Sequence, residues 1–257
     1  MTIGLARPAG APCWADLWTS DPEGSRSFYS QLFGWEALEP SAEFGGYWMF
    51  NRDGAPIAGG MGPMGDMPAT NTWKHYVRTE DIDSTLKRAE AAGATVQGGA
   101  MTVADLGTQA VFTDPTGAVV GLWQPGTFAG FSVLGLHGAP SWFELHSPDH
   151  ARSVDFYRDV FGYEFVPVSD TDEFRYFTFR SPGSEEDFGG VMDSKRWVAE
   201  GAAHWDIYWQ VDDAAAVSER AKALGASLKQ GPDDTPYGVL VQATDPAGAD
   251  FKLRANA

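Results

Sequence analysis

Apolar and polar residues alternate along "CWADLWTS" (13–20) and again along "SWFELHS" (141–147), which predicts two strands with one buried face each. After each strand the apolar spacing changes to a helical one. Phe28/Leu32 and Tyr29/Phe33 stand four apart, and Phe156/Val160 and Tyr157/Phe161 repeat the arrangement. Asp21 suits the cap of the first helix, Pro22 its first turn and Gly34 its left-handed stop. Strands at about 35–39, 46–51 and 56–61 follow, divided by turns containing Gly or Pro. The same order then returns as a strand at 73–79, a helix at 81–92 ending on Gly93, and strands near 94–97, 108–113 and 118–123.

The chain repeats itself. Residues 12–41 align without a gap on 140–169, and 11 of the 30 pairs are identical, among them Trp14/Trp142, Leu17/Leu145, Phe28/Phe156, Tyr29/Tyr157 and Gly34/Gly162. Further on, "YWMF" (47–50) meets "YFTF" (176–179), "AGGM" (58–61) meets "GGVM" (189–192), and "TDPTG" (113–117) meets "TDPAG" (244–248). This predicts a first domain at 1–126 (units about 12–62 and 71–125) and a second at 140–257 (units about 140–193 and 203–254). Each unit reads βαβββ. The segment 127–139 between them carries Phe128, Phe131, Val133, Leu134 and Leu136, too apolar for a solvated linker, and is expected to pack as a strap.

The strand–"SxxFYxxxFG"–strand opening and the "TDPxG" turn before a last strand resemble the vicinal oxygen chelate superfamily, and the two-domain form resembles its actinobacterial "hydroxylase / 30-kDa antigen" group. That superfamily includes glyoxalases, extradiol dioxygenases and bleomycin-binding proteins. The resemblance implies an α+β fold of two tandem domains, in which paired βαβββ units form a cupped eight-stranded mixed sheet with helices on its outer face. By pattern, Phe28, Tyr29 and Phe33 pin a helix to the back of that sheet, so chemistry belongs on the cupped face.

Period-2 alternation assigns the cup residues. Domain one presents Trp14, Asp16, Trp18, Lys74, Tyr76 and Arg78, with Val119, Gly121 and Trp123. Domain two presents Trp142, Glu144, His146, His204, Asp206, Tyr208, Gln210, Asp250, Lys252 and Arg254. Glu144, His146, His204 and Asp206 are the candidate catalytic groups, because paired carboxylates beside imidazoles can pass protons. Close carboxylates are expected to raise one another's pKa. Trp142, Tyr208, Gln210, Asp250, Lys252 and Arg254, with Trp14, Asp16, Trp18, Tyr76 and Arg78, are candidate substrate contacts, with Trp48 and Trp73 as further aromatic wall. His75 falls on the helix side, while His137 and His150 are expected in solvent.

In metal-using relatives the resemblance places four ligands on the first, fourth, fifth and eighth strands. Here those positions hold Trp14, Lys74 and Gly121, or Trp142, Asp206 and Lys252, and a glycine-rich stretch on the fourth strand. No cofactor is therefore expected. A shifted site from His146, His204 and Glu144, Asp206 or Asp250 would be the one route to a divalent metal such as Fe or Zn.

With 35 acidic and 18 basic residues the net charge is −17, which disfavours nucleic acid and anionic membrane as partners. Cys13 is the sole cysteine, and no run reaches membrane-spanning length, which fits a cytoplasmic protein. The expected partner is a small organic molecule, bound by a monomer or a homodimer. Three readings stand open: a metal-independent enzyme of lyase, isomerase or hydroxylase type acting on an aromatic or oxygenated metabolite, a protein that sequesters such a compound, and a metal-dependent oxygenase or lyase using the shifted site. A purely structural scaffold is disfavoured, because charges in a vestigial cup would be costly to desolvate.

Overall fold

The computed structural model describes residues 2–3, 7–65, 69–196 and 202–256. In chain order the first part comprises β1 (Thr2–Ile3), β2 (Pro12–Trp18), α1 (Pro22–Phe33), β3 (Glu36–Ala37), β4 (Trp48–Arg52), β5 (Ala55–Met61), β6 (Thr72–Arg78), α2 (Ile82–Ala91), β7 (Thr95–Val96), β8 (Met101–Val103), β9 (Gly107–Thr113) and β10 (Val119–Pro125). β11 (Val133–Leu134) lies in the strap and pairs with β1. The second part comprises β12 (Pro140–Ser147), α3 (His150–Phe161), β13 (Glu164–Asp170), β14 (Arg175–Arg180), β15 (Gly189–Asp193), β16 (His204–Gln210), α4 (Ala214–Ala223), β17 (Ser227–Thr235), β18 (Gly238–Thr244) and β19 (Asp250–Ala255).

Beside the β1/β11 pair, the described residues form two large sheets, in the orders β3-β4-β5-β2-β6-β10-β9-β7 and β13-β14-β15-β12-β16-β19-β18-β17. The central pair of each, β2/β6 or β12/β16, is antiparallel, and its neighbours join it in parallel. This is the expected mixed, eight-stranded α+β arrangement, doubled. Domain one adds β8 against β9, a strand too short for the alternation to reveal. The helix limits follow the sequence signals. Asp21 and Asp149 accept from the backbone N–H of Gly24 and Arg152, and Gly34 and Gly162 stop their helices at φ 74° and 73°.

The helix-bearing faces of the two sheets oppose each other, with β6 packed directly on β16 through Trp73 and Trp209 and the helices packed beside that contact. Phe28 and Tyr29 on α1 pack on Phe251 of β19, and Phe33 packs on Trp209 of β16. Phe156 on α3 packs on Phe112 of β9 at 5.8 Å. The repeated helix motif thus pins one domain to the other as well as to its own sheet. Its tyrosines complete the join. Tyr29 donates to Asp245 Oδ2 (3.0 Å) and accepts from Trp73 Nε1, while Tyr157 donates to Asp114 Oδ2 (2.8 Å) and accepts from Trp205 Nε1. Both aspartates belong to the "TDPxG" turns. His75, wholly buried with both ring nitrogens unpartnered among the described residues, lies in the same layer against Trp205 and Phe143. Burial lowers its pKa to about 3, so it is neutral.

Three aromatic or histidine expectations, those for Trp73, Trp48 and His150, are corrected. Trp73 faces Tyr29 behind the sheet, and Trp48 packs on Phe50, which itself lies against Trp35, so neither walls a cup. His150 is buried on the Phe177 ring. His137 pairs with Asp212 at 3.3 Å. In the strap, Phe131 packs against both Trp14 and Phe143, and Gly138 accepts from Trp35 Nε1.

Phe156→Ala removes a ring from this shared core and is expected to cost about 3–5 kcal/mol, read by urea denaturation. A near-neutral result would contradict the packing of α3 on domain one.

Candidate functional site

Cross-strand register brings the domain-two groups together. Glu144 stands opposite Asp206 and His146 opposite His204 in the β12/β16 pair, while Lys252 of β19 stands beside Tyr208. Lys252 Nζ lies 2.8 Å from His146 Nε2, 2.9 Å from Asp206 Oδ2, 3.3 Å from the Tyr208 hydroxyl and 3.5 Å from Glu144 Oε1. An ammonium therefore occupies the point on which two carboxylates and an imidazole converge. Glu144 also accepts from the Tyr176 and Tyr208 hydroxyls at 3.0 Å each, and Trp142 Nε1 donates to Tyr176. The His146 and His204 rings stack with centroids 5.1 Å apart.

The electrostatics follow from that central cation. Burial pushes the Glu144 carboxyl up, but the hydrogen bond from His146 and the charge of Lys252 outweigh it and leave the pKa at about 2. Asp206 is likewise raised by burial and lowered by more through His204, Lys252 and His146. The expectation that the two carboxylates raise one another is thus reversed, because cations separate them. Neither carboxylate changes charge near neutrality.

His146 Nε2 lies 2.8 Å from both Lys252 Nζ and Glu144 Oε1. If Nε2 carries a proton it donates to Glu144. If it is bare it accepts from the ammonium. One nitrogen cannot satisfy both at once, so proton position and hydrogen-bond pattern change together.

Domain one builds a related cup with other groups. Asp16 Oδ1 accepts from the Tyr47 hydroxyl (2.7 Å) and Trp14 Nε1 (2.9 Å), matching Glu144, Tyr176 and Trp142. Lys74 stands opposite Asp16 across β2/β6, with Nζ over the rings of Tyr76 and Trp18. Tyr76 donates to Gln109, and Gly121 stands where domain two has Lys252.

Sequence reasoning missed Tyr47, Tyr176 and Gln109. The signal for the tyrosines was the glycine pair on the neighbouring strand. A Cβ on Gly59 would collide with the Tyr47 hydroxyl and Asp16, and one on Gly190 with the Tyr176 hydroxyl. The glycines thus seat a phenol beside the carboxylate.

Other expected members lie apart from these clusters. Arg78 pairs with Glu80 (2.6 Å), Asp250 with Lys229 (2.6 Å), and Arg254 donates to the Tyr237 carbonyl (3.0 Å). Gln210 is buried, with its side-chain amide directed at the Val211 carbonyl. Two surface concavities lie elsewhere, one of about 260 Å³ lined by His150, Asp155, Asp170, Arg175 and Phe177, the other of about 480 Å³ lined by Arg78, Glu80, Arg88 and Ser181 among others.

His146, His204 and Asp206 offer ligand atoms within 4.8 Å of one another and by themselves could hold a metal ion. With Lys252 in place they do not fit one, since its Nζ stands within 3 Å of two of the three donors and would face the ion charge to charge.

This fold and these paired cups define the class. The chain belongs to the glyoxalase-like domain family, which matches residues 14–122 and 142–254, within the vicinal oxygen chelate superfamily. It is 35% identical to the anthracycline biosynthesis protein DauV of Streptomyces sp. (strain C5), over 95% of this chain and 92% of that protein. The Mn(II)-bound glyoxalase from Novosphingobium aromaticivorans shares the fold at TM-score 0.66 and 18% identity, covering 99% of this chain and 83% of its own. The 2,3-dioxygenase LapB from Pseudomonas sp. KL28 does so at TM-score 0.66 and 16% identity, covering 97% and 93%. Among the described residues no helix is long and apolar enough to cross a membrane.

Proposed function

We propose that the domain-two cup carries out metal-independent proton transfer on a small oxygenated aromatic metabolite. The observation that supports this most is the Lys252 ammonium at the convergence of Glu144, His146 and Asp206. A fixed cation in a shielded site stabilises an oxyanion as a metal would, without exchanging ligands. The similarity to DauV points to a polycyclic, oxygenated substrate class.

In this reading a substrate carbonyl oxygen draws the Lys252 ammonium off bare His146 Nε2, whose freed lone pair removes a proton from the carbon next to that carbonyl. The electron pair left behind becomes an enolate, whose oxygen faces Lys252 and the Tyr208 hydroxyl. The new Nε2–H donates to ionised Glu144, which holds the imidazolium. Return of the proton to a different carbon gives an isomer, so no oxidant is needed. Asp206 orients His204 and Lys252, and Trp142 holds Tyr176 on Glu144.

A second reading, binding without turnover, draws on the mutual satisfaction of these groups. Incubation in D2O with a hydroxylated naphthoquinone bearing an enolisable ketone side chain separates the two. Deuterium uptake by mass spectrometry is expected, falling at least about 100-fold in His146→Gln and Glu144→Gln and little in Asp16→Asn. Binding with no enzyme-dependent exchange would leave sequestration as the function. Equal losses from Asp16→Asn would defeat the assignment to domain two.

A further inference from the structure

The two cups each contain one lysine, and the two lysines are in opposite states. Lys252 has four polar partners within 3.5 Å. Lys74 has no hydrogen bond and no ion pair among the described residues. Its Nζ lies 5.0 Å from the Tyr76 ring centroid and 5.9 Å from that of Trp18, in the geometry of a cation over aromatic faces. Asp16, directly opposite on β2, does not close the gap. Its Oδ1 is engaged by Tyr47 and Trp14. An ammonium needs acceptors for its three N–H groups, and ring faces supply charge stabilisation without a directed lone pair.

The surroundings say where an acceptor would enter. The Trp14 end of the cup is closed by the strap, with Phe128 edge-on to Trp14 at 4.8 Å and its carbonyl accepting from Trp123 Nε1. At the other end Trp18, Met61 and Lys74 are half-buried and Thr72 is exposed. Trp18 Nε1 is committed to the Gly62 carbonyl, which fixes the indole and leaves its face as a platform.

We propose that the domain-one cup is a separate, non-catalytic binding site for a flat aromatic anion, whose carboxylate or phenolate oxygen accepts from Lys74 while its ring packs on Trp18 and Tyr76. Burial lowers the Lys74 pKa against the raising influence of Asp16, and a bound anion would return that loss. Nothing in this assignment depends on the chemistry of domain two, because the two clusters share no residue.

The test uses the whole protein and two probes of one shape, 2-naphthoate and naphthalene-2-carboxamide, by isothermal titration calorimetry at pH 7. The wild type is expected to bind the carboxylate about tenfold or more tightly than the amide. Lys74→Gln should abolish that preference, Lys74→Arg should keep it, and His146→Gln in domain two should leave it unchanged. Circular dichroism checks that each variant is folded, and the carboxylate-over-amide preference of the wild type needs no variant at all. Equal binding of the two probes, no binding of 2-naphthoate at millimolar concentration, unchanged affinity in Lys74→Gln, or loss in His146→Gln would each overturn the proposal.

Discussion

Lys252→Met is expected to destabilise the protein by about 3–5 kcal/mol at pH 7, because it leaves two buried carboxylates facing each other without their shared cation. The pH dependence distinguishes this from lost packing. In the wild type the Glu144 pKa is depressed from its ordinary 4.5 to about 2. That depression contributes stability on the order of 3 kcal/mol, present above the unfolded-state pKa and lost as pH falls through the folded one. Removing the ammonium raises the folded pKa values of Glu144 and Asp206. Their ionisation then opposes folding, and acid relieves the penalty. The gap between wild type and variant should therefore narrow from pH 7 to pH 4.5 in urea denaturation. Zn2+ should raise the Tm of the variant, through His146, His204 and Asp206, and leave that of the wild type unchanged. A pH-independent gap, or equal Zn2+ stabilisation of both proteins, would mean that Lys252 does not act as the cation of the cluster.

Asp245→Ala should cost about 3–5 kcal/mol, among the largest effects of a single polar substitution in this chain. Asp245 Oδ1 accepts from the backbone N–H groups of Ala247, Gly248 and Ala249, and Oδ2 from Tyr29 across the domain boundary. Truncation orphans the Ala247 and Ala249 N–H groups and the Tyr29 hydroxyl, while Gly248 N–H keeps the Asp245 backbone carbonyl. Tyr29→Phe removes only the hydroxyl and should cost about 1–3 kcal/mol, through the unpaired Trp73 Nε1 and Asp245 Oδ2. The double variant should lose less than the sum, since Asp245 and Tyr29 share one interaction. Strict additivity in chemical denaturation would show that the hydroxyl does not couple the domains.

Much of this architecture was legible because strand periodicity leaves little freedom. Ala15 and Leu17 must share one face of β2, which puts Trp14 and Asp16 on the other, and the same logic placed Glu144, His146, His204, Asp206 and Lys252 in one cup. What alternation does not carry is the identity of distant partners. Tyr29 reads as a pin for its own sheet, yet its hydroxyl meets an aspartate 216 positions away. Tyr47 lies just outside β4, where period-2 counting does not reach. Trp48 and Trp73 were placed by residue type rather than by register. Arg78, Asp250 and Arg254 sit on the expected strands but find nearer partners. His150 follows a cap directly, and a first-turn position does not by itself imply solvent.

The joint between the halves has an evolutionary consequence. It is made by Tyr29–Asp245 and Tyr157–Asp114, which match between the two copies, and by rings on the helix side. Among the positions at which the copies diverge, Trp18/His146, Thr72/His204, Lys74/Asp206 and Gly121/Lys252 belong to the cups. A homodimer of a single βαβββ pair would have to accept every such change twice, once in each site. Fused in one polypeptide, the copies inherit a common joint and separate sites, so one cup can accumulate charge and imidazole while the other keeps indole and a lone ammonium. Divergence of chemistry then proceeds without renegotiating assembly.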